Sequence, residues 1–121
     1  MSAELVVKKL KKVGATLAVA ESITGGGLGG AITEISGSSE VFLGGVIAYS
    51  DEIKFKELGV SKVSLKKESA VSEKVAMEMA EGIRKKFNST YGISTTGVAG
   101  PGKAYGQKRS EEHTSELQSR E

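Results

Sequence analysis

Five glycines fall within positions 25–30, directly after a short apolar run and the polar residues Glu21, Ser22 and Thr24. Residues 16–20 (Thr-Leu-Ala-Val-Ala) have the length of a buried strand. Leu28, Ile32 and Ile35 then recur at helical spacing, so the glycines stand at the start of a helix. Glycine lets backbone N–H groups approach a ligand and adopts conformations that other residues resist. The N–H groups and positive dipole end at a helix start attract a phosphate, a carboxylate or a developing oxyanion. Ser22, just ahead of that turn, is a candidate nucleophile, and the N–H groups of Thr24, Gly25 and Gly26 form a candidate oxyanion hole. Two other readings compete. Gly25-x-Gly27-x-x-Gly30 matches the dinucleotide fingerprint, with Asp51 near the distance expected for a ribose-binding acid. The other is a tight strand-to-helix turn without chemistry. A P-loop is excluded because no Gly-Lys-Ser/Thr follows.

The residue types restrict the chemistry further. The chain has no cysteine, which removes disulfides, thiolate zinc sites and cysteine nucleophiles. Its one histidine, His113, lies near the C-terminus in a segment of unusual character. Catalysis therefore falls to Ser or Thr, Lys, Tyr and carboxylates, and neither a metal nor a cofactor is expected. At 121 residues the chain holds one domain. The net charge is +2, with lysines scattered among acids, and aromatics make up 5%. Stacking platforms for nucleic acid are thus unsupported, and no nucleic-acid partner is expected. No apolar run reaches membrane-span length and no signal-peptide pattern opens the chain. The expectation is a cytoplasmic protein without a membrane partner.

Taken in order, residues 2–13 read as an amphipathic helix with Val6, Leu10 and Val13 on one face and a solvated lysine face opposite, and Gly14 stops it. Residues 42–50 read as a second strand, apolar enough to be buried on both faces, with Gly44 and Gly45 marking a bulge or a close neighbour. Ser50 or Asp51 caps a helix to Leu58, which Gly59 ends. Residues 61–68 read as a polar connector with at most one helical turn. Val75, Ala76, Met79, Ala80, Ile83 and Phe87 form a broad helical stripe, with Met77 and Met79 assigned to core packing. Residues 91–96 form a third strand, before an irregular stretch at 97–102. Strands alternating with helices predict a largely parallel α/β sheet covered on both faces. Each strand ends in polar residues, and ligands in such sheets bind beyond the strands' carboxyl ends. With no histidine available, Lys54 is the candidate base for Ser22: burial and the start of its helix would both disfavour its charged form. Tyr49 is placed to relay the proton or orient the lysine.

These residues form ordered motifs. Ala20-Glu-Ser-Ile-Thr-Gly-Gly26, Gly37-Ser-Ser39 leading into Gly45-Val-Ile-Ala-Tyr-Ser-Asp-Glu-Ile-Lys54, Leu58-Gly-Val60, Ala70-Val-Ser-Glu73 and Thr96-Gly-Val-Ala-Gly-Pro-Gly102 follow one another. Together they resemble the C-terminal domain of the competence/damage-inducible protein CinA, the nicotinamide mononucleotide deamidase family. The resemblance implies a three-layer α/β/α sandwich with a mostly parallel sheet. It also implies hydrolysis of the carboxamide of nicotinamide mononucleotide to nicotinic acid mononucleotide and ammonia, in pyridine nucleotide salvage. Ser22 matches the nucleophile, Lys54 the general base and Tyr49 its partner. Thr96 and the loop 97–102, with Gly97, Ala99 and Gly100, match substrate-contacting positions, and the turn residues Thr24, Gly25 and Gly26 join them as candidate substrate-binding residues on the reading given above. The implied partner is a small-molecule nucleotide, the implied assembly a homodimer, and no metal is implied. The alternative is a non-catalytic nucleotide-binding module or an inactive fragment.

The sequence departs from the family in three places. Ile23 stands where the family often has cysteine. After Gly102 the family continues through a glycine-rich loop into a further strand and helix, so the expectation is a domain over 1–102 with its C-terminal part missing. Residues 103–121 are then a non-native or disordered tail. Residues 109–119 lack any helical or strand period and resemble the translation of a common DNA-sequencing adapter. Outside 109–121 the balance is 15 basic to 11 acidic residues, a modest excess that suits an anionic ligand. Larger relatives carry an N-terminal nucleotide-processing domain, and Met1 reads as the start of a stand-alone form.

Overall fold

Strand β1 (Leu17–Glu21) is buried along its whole length, which requires a neighbour on each side and cover on each face. A computed structural model describes residues 2–68, 73–96 and 103–107 and shows both. Parallel strands flank β1: β2 (Phe42–Ile47) on one side and β3 (Tyr91–Thr96) on the other. Strand β4 (Lys103–Gln107) then adds antiparallel to β3, giving the order β2-β1-β3-β4.

Successive side chains of a strand point to opposite faces, and β1 divides its residues accordingly. Leu17 and Val19 pack with Val7, Leu10, Ala15, Ile32 and Val41 beneath helices α1 (Ala3–Val13) and α2 (Gly27–Thr33). Ala18 and Ala20 pack with Leu58, Val60, Val75, Met79 and Ile83 beneath α3 (Asp51–Leu58), α4 (Lys62–Glu68) and α5 (Glu73–Phe87). The result is the three-layer α/β/α sandwich. The small alanines let α5 lie close to the sheet. Val75, Met79 and Ile83 are fully buried there, each contributing about 1.5–3 kcal/mol by removal from water.

Local chemistry sets the helix boundaries. The Ser2 hydroxyl accepts the Leu5 N–H at 3.1 Å, and Ser50 accepts the Ile53 N–H at 3.2 Å. Gly14 and Gly59 end α1 and α3 in the left-handed conformation, their N–H groups donating to carbonyls of the last turn.

The structure departs from the sequence reading in four places. Strand β2 is half-buried on one face and exposed on the other, where Leu43 and Ile47 lie, and it is the edge strand among the described residues. The register against β1 shifts at Leu43, directly before the glycines, and a side chain on Gly45 would be driven into the Val19 carbonyl, so an irregularity and a close neighbour are both present. The connector at 61–68 is helix α4. The Ser61 hydroxyl accepts the Ser64 N–H, and Glu78 of α5 receives both the Ser61 N–H and the Ser64 hydroxyl, so tertiary bonds stabilise a polar segment that its own pattern did not. Of the two methionines on α5, Met79 is core and Met77 is exposed, their separation of two residues placing them on different sides of the helix. The sheet also runs past the boundary at residue 102 into β4. Residues 97–102, with the candidate site positions Gly97, Ala99 and Gly100, lie outside the described residues, as do 108–121. Among the described residues no helix is long and apolar enough to cross a membrane.

Candidate active site

In a parallel sheet the carboxyl ends of neighbouring strands lie side by side, and here Glu21 is in register with Ile47 of β2 and Thr95 of β3. The chain leaves β1 at Ser22, whose N–H donates to the Thr95 carbonyl at 3.0 Å. Strand alternation continues across this point. Glu21 shares the face of Leu17 and Val19 and meets α2. Ser22 shares the face of Ala18 and Ala20 and meets α3.

On the α3 side, Lys54 Nζ lies 3.2 Å from Ser22 Oγ and 3.0 Å from the Tyr49 carbonyl oxygen. Ser22 is 7% exposed and Lys54 2%. The helix places the lysine there: the Ser50 cap starts α3, and Lys54 lies one turn beyond it, its N–H donating to the Ser50 carbonyl. Burial pushes Lys54 below the usual ammonium range, and the nearby Asp51 charge opposes this without cancelling it. A lysine that gives up its proton readily, beside a hydroxyl, is the arrangement that activates a serine.

Tyr49 reaches the lysine through its main chain. Its side chain is 70% exposed, which leaves the phenol open to a ligand. Thr96 is buried at the end of β3.

On the α2 side the glycine turn is already filled. Glu21, 2% exposed, turns its carboxylate into the start of the helix. It accepts the Gly26 N–H at 2.9 Å, the Leu28 N–H at 3.0 Å, the Gly29 N–H at 2.7 Å and the Thr24 hydroxyl. Thr24 Oγ1 also lies 2.7 Å from Thr95 Oγ1. Burial alone would raise the Glu21 pKa, but the Thr24 hydroxyl and the Gly29, Leu28 and Gly26 N–H groups more than offset it and hold the pKa below the ordinary glutamate value. The Gly25 N–H donates to the Ser22 carbonyl. Two of the three donors expected to form an oxyanion hole, those of Gly25 and Gly26, are therefore engaged within the turn. The dinucleotide reading of Gly25 to Gly30 fails for the same reason, since an internal carboxylate stands where a pyrophosphate would sit. Sequence reasoning registered Glu21 only as a polar strand end. Its parity with Leu17 and Val19, which aims it at the helix start, was the available signal.

A family model described as the CinA C-terminal domain matches residues 1–110. A CinA-like protein from Synechococcus sp. (strain RCC307) is 56% identical over 100 residues, covering 83% of this chain and 24% of that protein. A putative competence-damage inducible protein from Halothermothrix orenii is 54% identical over 94 residues, 78% of this chain and 23% of that one. Among solved structures, a CinA superfamily protein from Escherichia coli superposes with a TM-score of 0.79 at 34% identity, covering 93% of this chain and 62% of that one. A competence/damage inducible protein from Agrobacterium tumefaciens gives 0.78 at 37%, covering 84% and 61%. The chain thus spans about a quarter of the length of these curated relatives. With a family match across nearly its whole length and the same fold in solved relatives, this chain belongs to the CinA C-terminal domain family.

Proposed function

We propose that this domain is an amidase that hydrolyses the carboxamide of nicotinamide mononucleotide to nicotinic acid mononucleotide and ammonia. The substrate rests on the motif resemblance set out above. The chemistry rests on one observation, the 3.2 Å approach of a buried Lys54 Nζ to Ser22 Oγ.

With the amine neutral, Ser22 Oγ donates its proton to Nζ and attacks the carboxamide carbon. The resulting ammonium then gives the proton to the departing nitrogen, which leaves as ammonia while the acyl group stays on Ser22. Lys54, neutral again, draws a proton from water. The hydroxide attacks the ester, and the nicotinic acid product departs as Ser22 regains its proton. Thr96 and, by the motif resemblance, residues 97–102 are the proposed substrate contacts, and the exposed Tyr49 phenol is a further one.

Ammonia release from nicotinamide mononucleotide by the purified protein tests the reading. Ser22→Ala and Lys54→Met are each expected to lower turnover roughly 1,000-fold, within the range that acid–base catalysis supplies. Near-normal turnover in either variant removes that residue from the mechanism. Nucleotide binding by the unaltered protein with no ammonia on long incubation would make the domain a binding module.

A further inference from the structure

We infer that Glu21 is a positioning residue for the Ser22–Lys54 pair: from under the glycine turn, its carboxylate holds the serine in line with the lysine. The inference deepens the amidase reading and rests on it.

Helix α2 has glycine at its N-cap, Gly26 at φ 110°, and no capping side chain on its own residues. The ordinary remedy is a Ser, Thr, Asp or Asn at that cap position. Here the orphan N–H groups are instead satisfied by the residue directly before the nucleophile. The carboxylate gathers the Gly26, Leu28 and Gly29 N–H groups and the Thr24 hydroxyl. That choice makes the turn after Ser22 and the strand before it one rigid piece.

The main chain around the serine is fixed from both sides. The Glu21 carbonyl accepts the Ala48 N–H at 2.7 Å, the Ser22 N–H donates to Thr95, and the Ser22 carbonyl accepts the Gly25 N–H at 3.1 Å. Thr24, bonded to both Glu21 and Thr95, ties the turn to β3. With the backbone held, the direction of Oγ toward Lys54 depends on the turn keeping its shape. A second consequence follows: the glycine turn is unavailable to the phosphate of a nucleotide, which must be bound by other groups.

The test uses the full chain and two readouts of Ser22. One is ammonia release from nicotinamide mononucleotide. The other is phosphonylation by a fluorophosphonate, in which the Oγ–P bond forms, the P–F bond breaks, the proton passes to Lys54 and fluoride leaves. Glu21→Gln keeps the side chain's shape but turns an NH2 donor toward N–H groups. Both rates are expected to fall together, kcat by about 10–100-fold, with KM changed by less than about twofold. The pH midpoint of labelling stays where it was, because Lys54 lies on the other face of the strand.

Gly29→Ala perturbs the same clamp without removing its charge, since the added methyl lies 3.3 Å from Glu21 Oε2. Alanine favours the helix, so the melting temperature holds while labelling slows about 3–10-fold. If Glu21→Gln does not fold, Gly29→Ala decides. Unaltered labelling in a folded Glu21→Gln protein or in Gly29→Ala overturns the inference, as does a loss confined to KM. If the unaltered protein labels at Ser22 but releases no ammonia, the amidase reading fails, and the labelling rates still decide the role of Glu21.

Discussion

Two helices begin beside the carboxyl end of β1, and each buries a charged side chain there. At α2 the charge is Glu21, which meets three N–H groups and a hydroxyl. At α3 it is Lys54, which has three possible donor hydrogens and, among the described residues, two acceptors, Ser22 Oγ and the Tyr49 carbonyl. The surroundings of Glu21 favour its charged form, and those of Lys54 disfavour it. A buried charge that is fully met holds structure in place. One that is incompletely met is ready to exchange a proton. Adjacent residues on one strand, 21 and 22, lead to these opposite outcomes because strand alternation sends them to different layers.

The largest effect that would sharpen this comparison is on activity at the α3 side. Lys54→Met keeps the packing volume, removes a poorly met buried charge and removes the base. Activity should fall roughly 1,000-fold while the protein stays as stable as before or gains stability, as replacement of buried ionic groups by apolar ones often does. Denaturant titration at several pH values separates the two. The unfolded chain binds the Lys54 proton more tightly than the folded one, so unaltered protein should gain stability as pH rises toward the ordinary lysine value of 10.5. Lys54→Met should lack that part of the slope. A variant that lost activity only by unfolding would break the comparison.

The α2 side should behave in the opposite sense. Glu21→Gln leaves N–H groups facing a donor, and unfolding free energy should drop by about 2–3 kcal/mol, the scale of hydrogen bonds to a charged group. The sign with pH is the same, because both folded pKa values lie below the ordinary ones, but the window is acid rather than alkaline. The contribution of Glu21 is complete above the ordinary glutamate value of 4.5 and is lost as pH falls through its depressed folded value. Thermal melts of both proteins at neutral and acid pH should converge at the acid end. Parallel curves would show that the carboxylate does not carry the difference.

The smallest effect is at the cap that sets the α3 register. Ser50→Ala should cost about 1 kcal/mol of stability, read by denaturant titration, with only a modest loss of turnover. A loss of turnover as large as that of Lys54→Met would mean that the cap, rather than burial, holds the lysine.

These particulars show what the sequence made legible. The layers, the parallel strands and the meeting of Ser22 with Lys54 followed from periodicity, cap residues and strand ends, which are local signals. The motifs that pointed to the family are contiguous and were equally readable. What escaped was decided by partners distant in sequence. Strand β2 looked doubly buried because its composition is apolar, yet its position at the edge depends on strand order. Helix α4 looked like a connector because Glu78, 14 residues past Ser64, supplies its bonds. The glycine turn looked like an anion site, which it is. The anion belongs to the chain itself, and only the parity of Glu21 within β1 announced it.

The central claim is that a buried, readily deprotonated Lys54 activates Ser22. The most direct measurement is the rate of fluorophosphonate labelling at Ser22 as a function of pH, in unaltered protein and in Lys54→Met. The account predicts a rate that rises with pH through a midpoint below 10.5, because only the neutral amine accepts the proton, and labelling near background in Lys54→Met. Labelling of Ser22 no faster than that of the exposed Ser39, or unchanged by Lys54→Met, would contradict it.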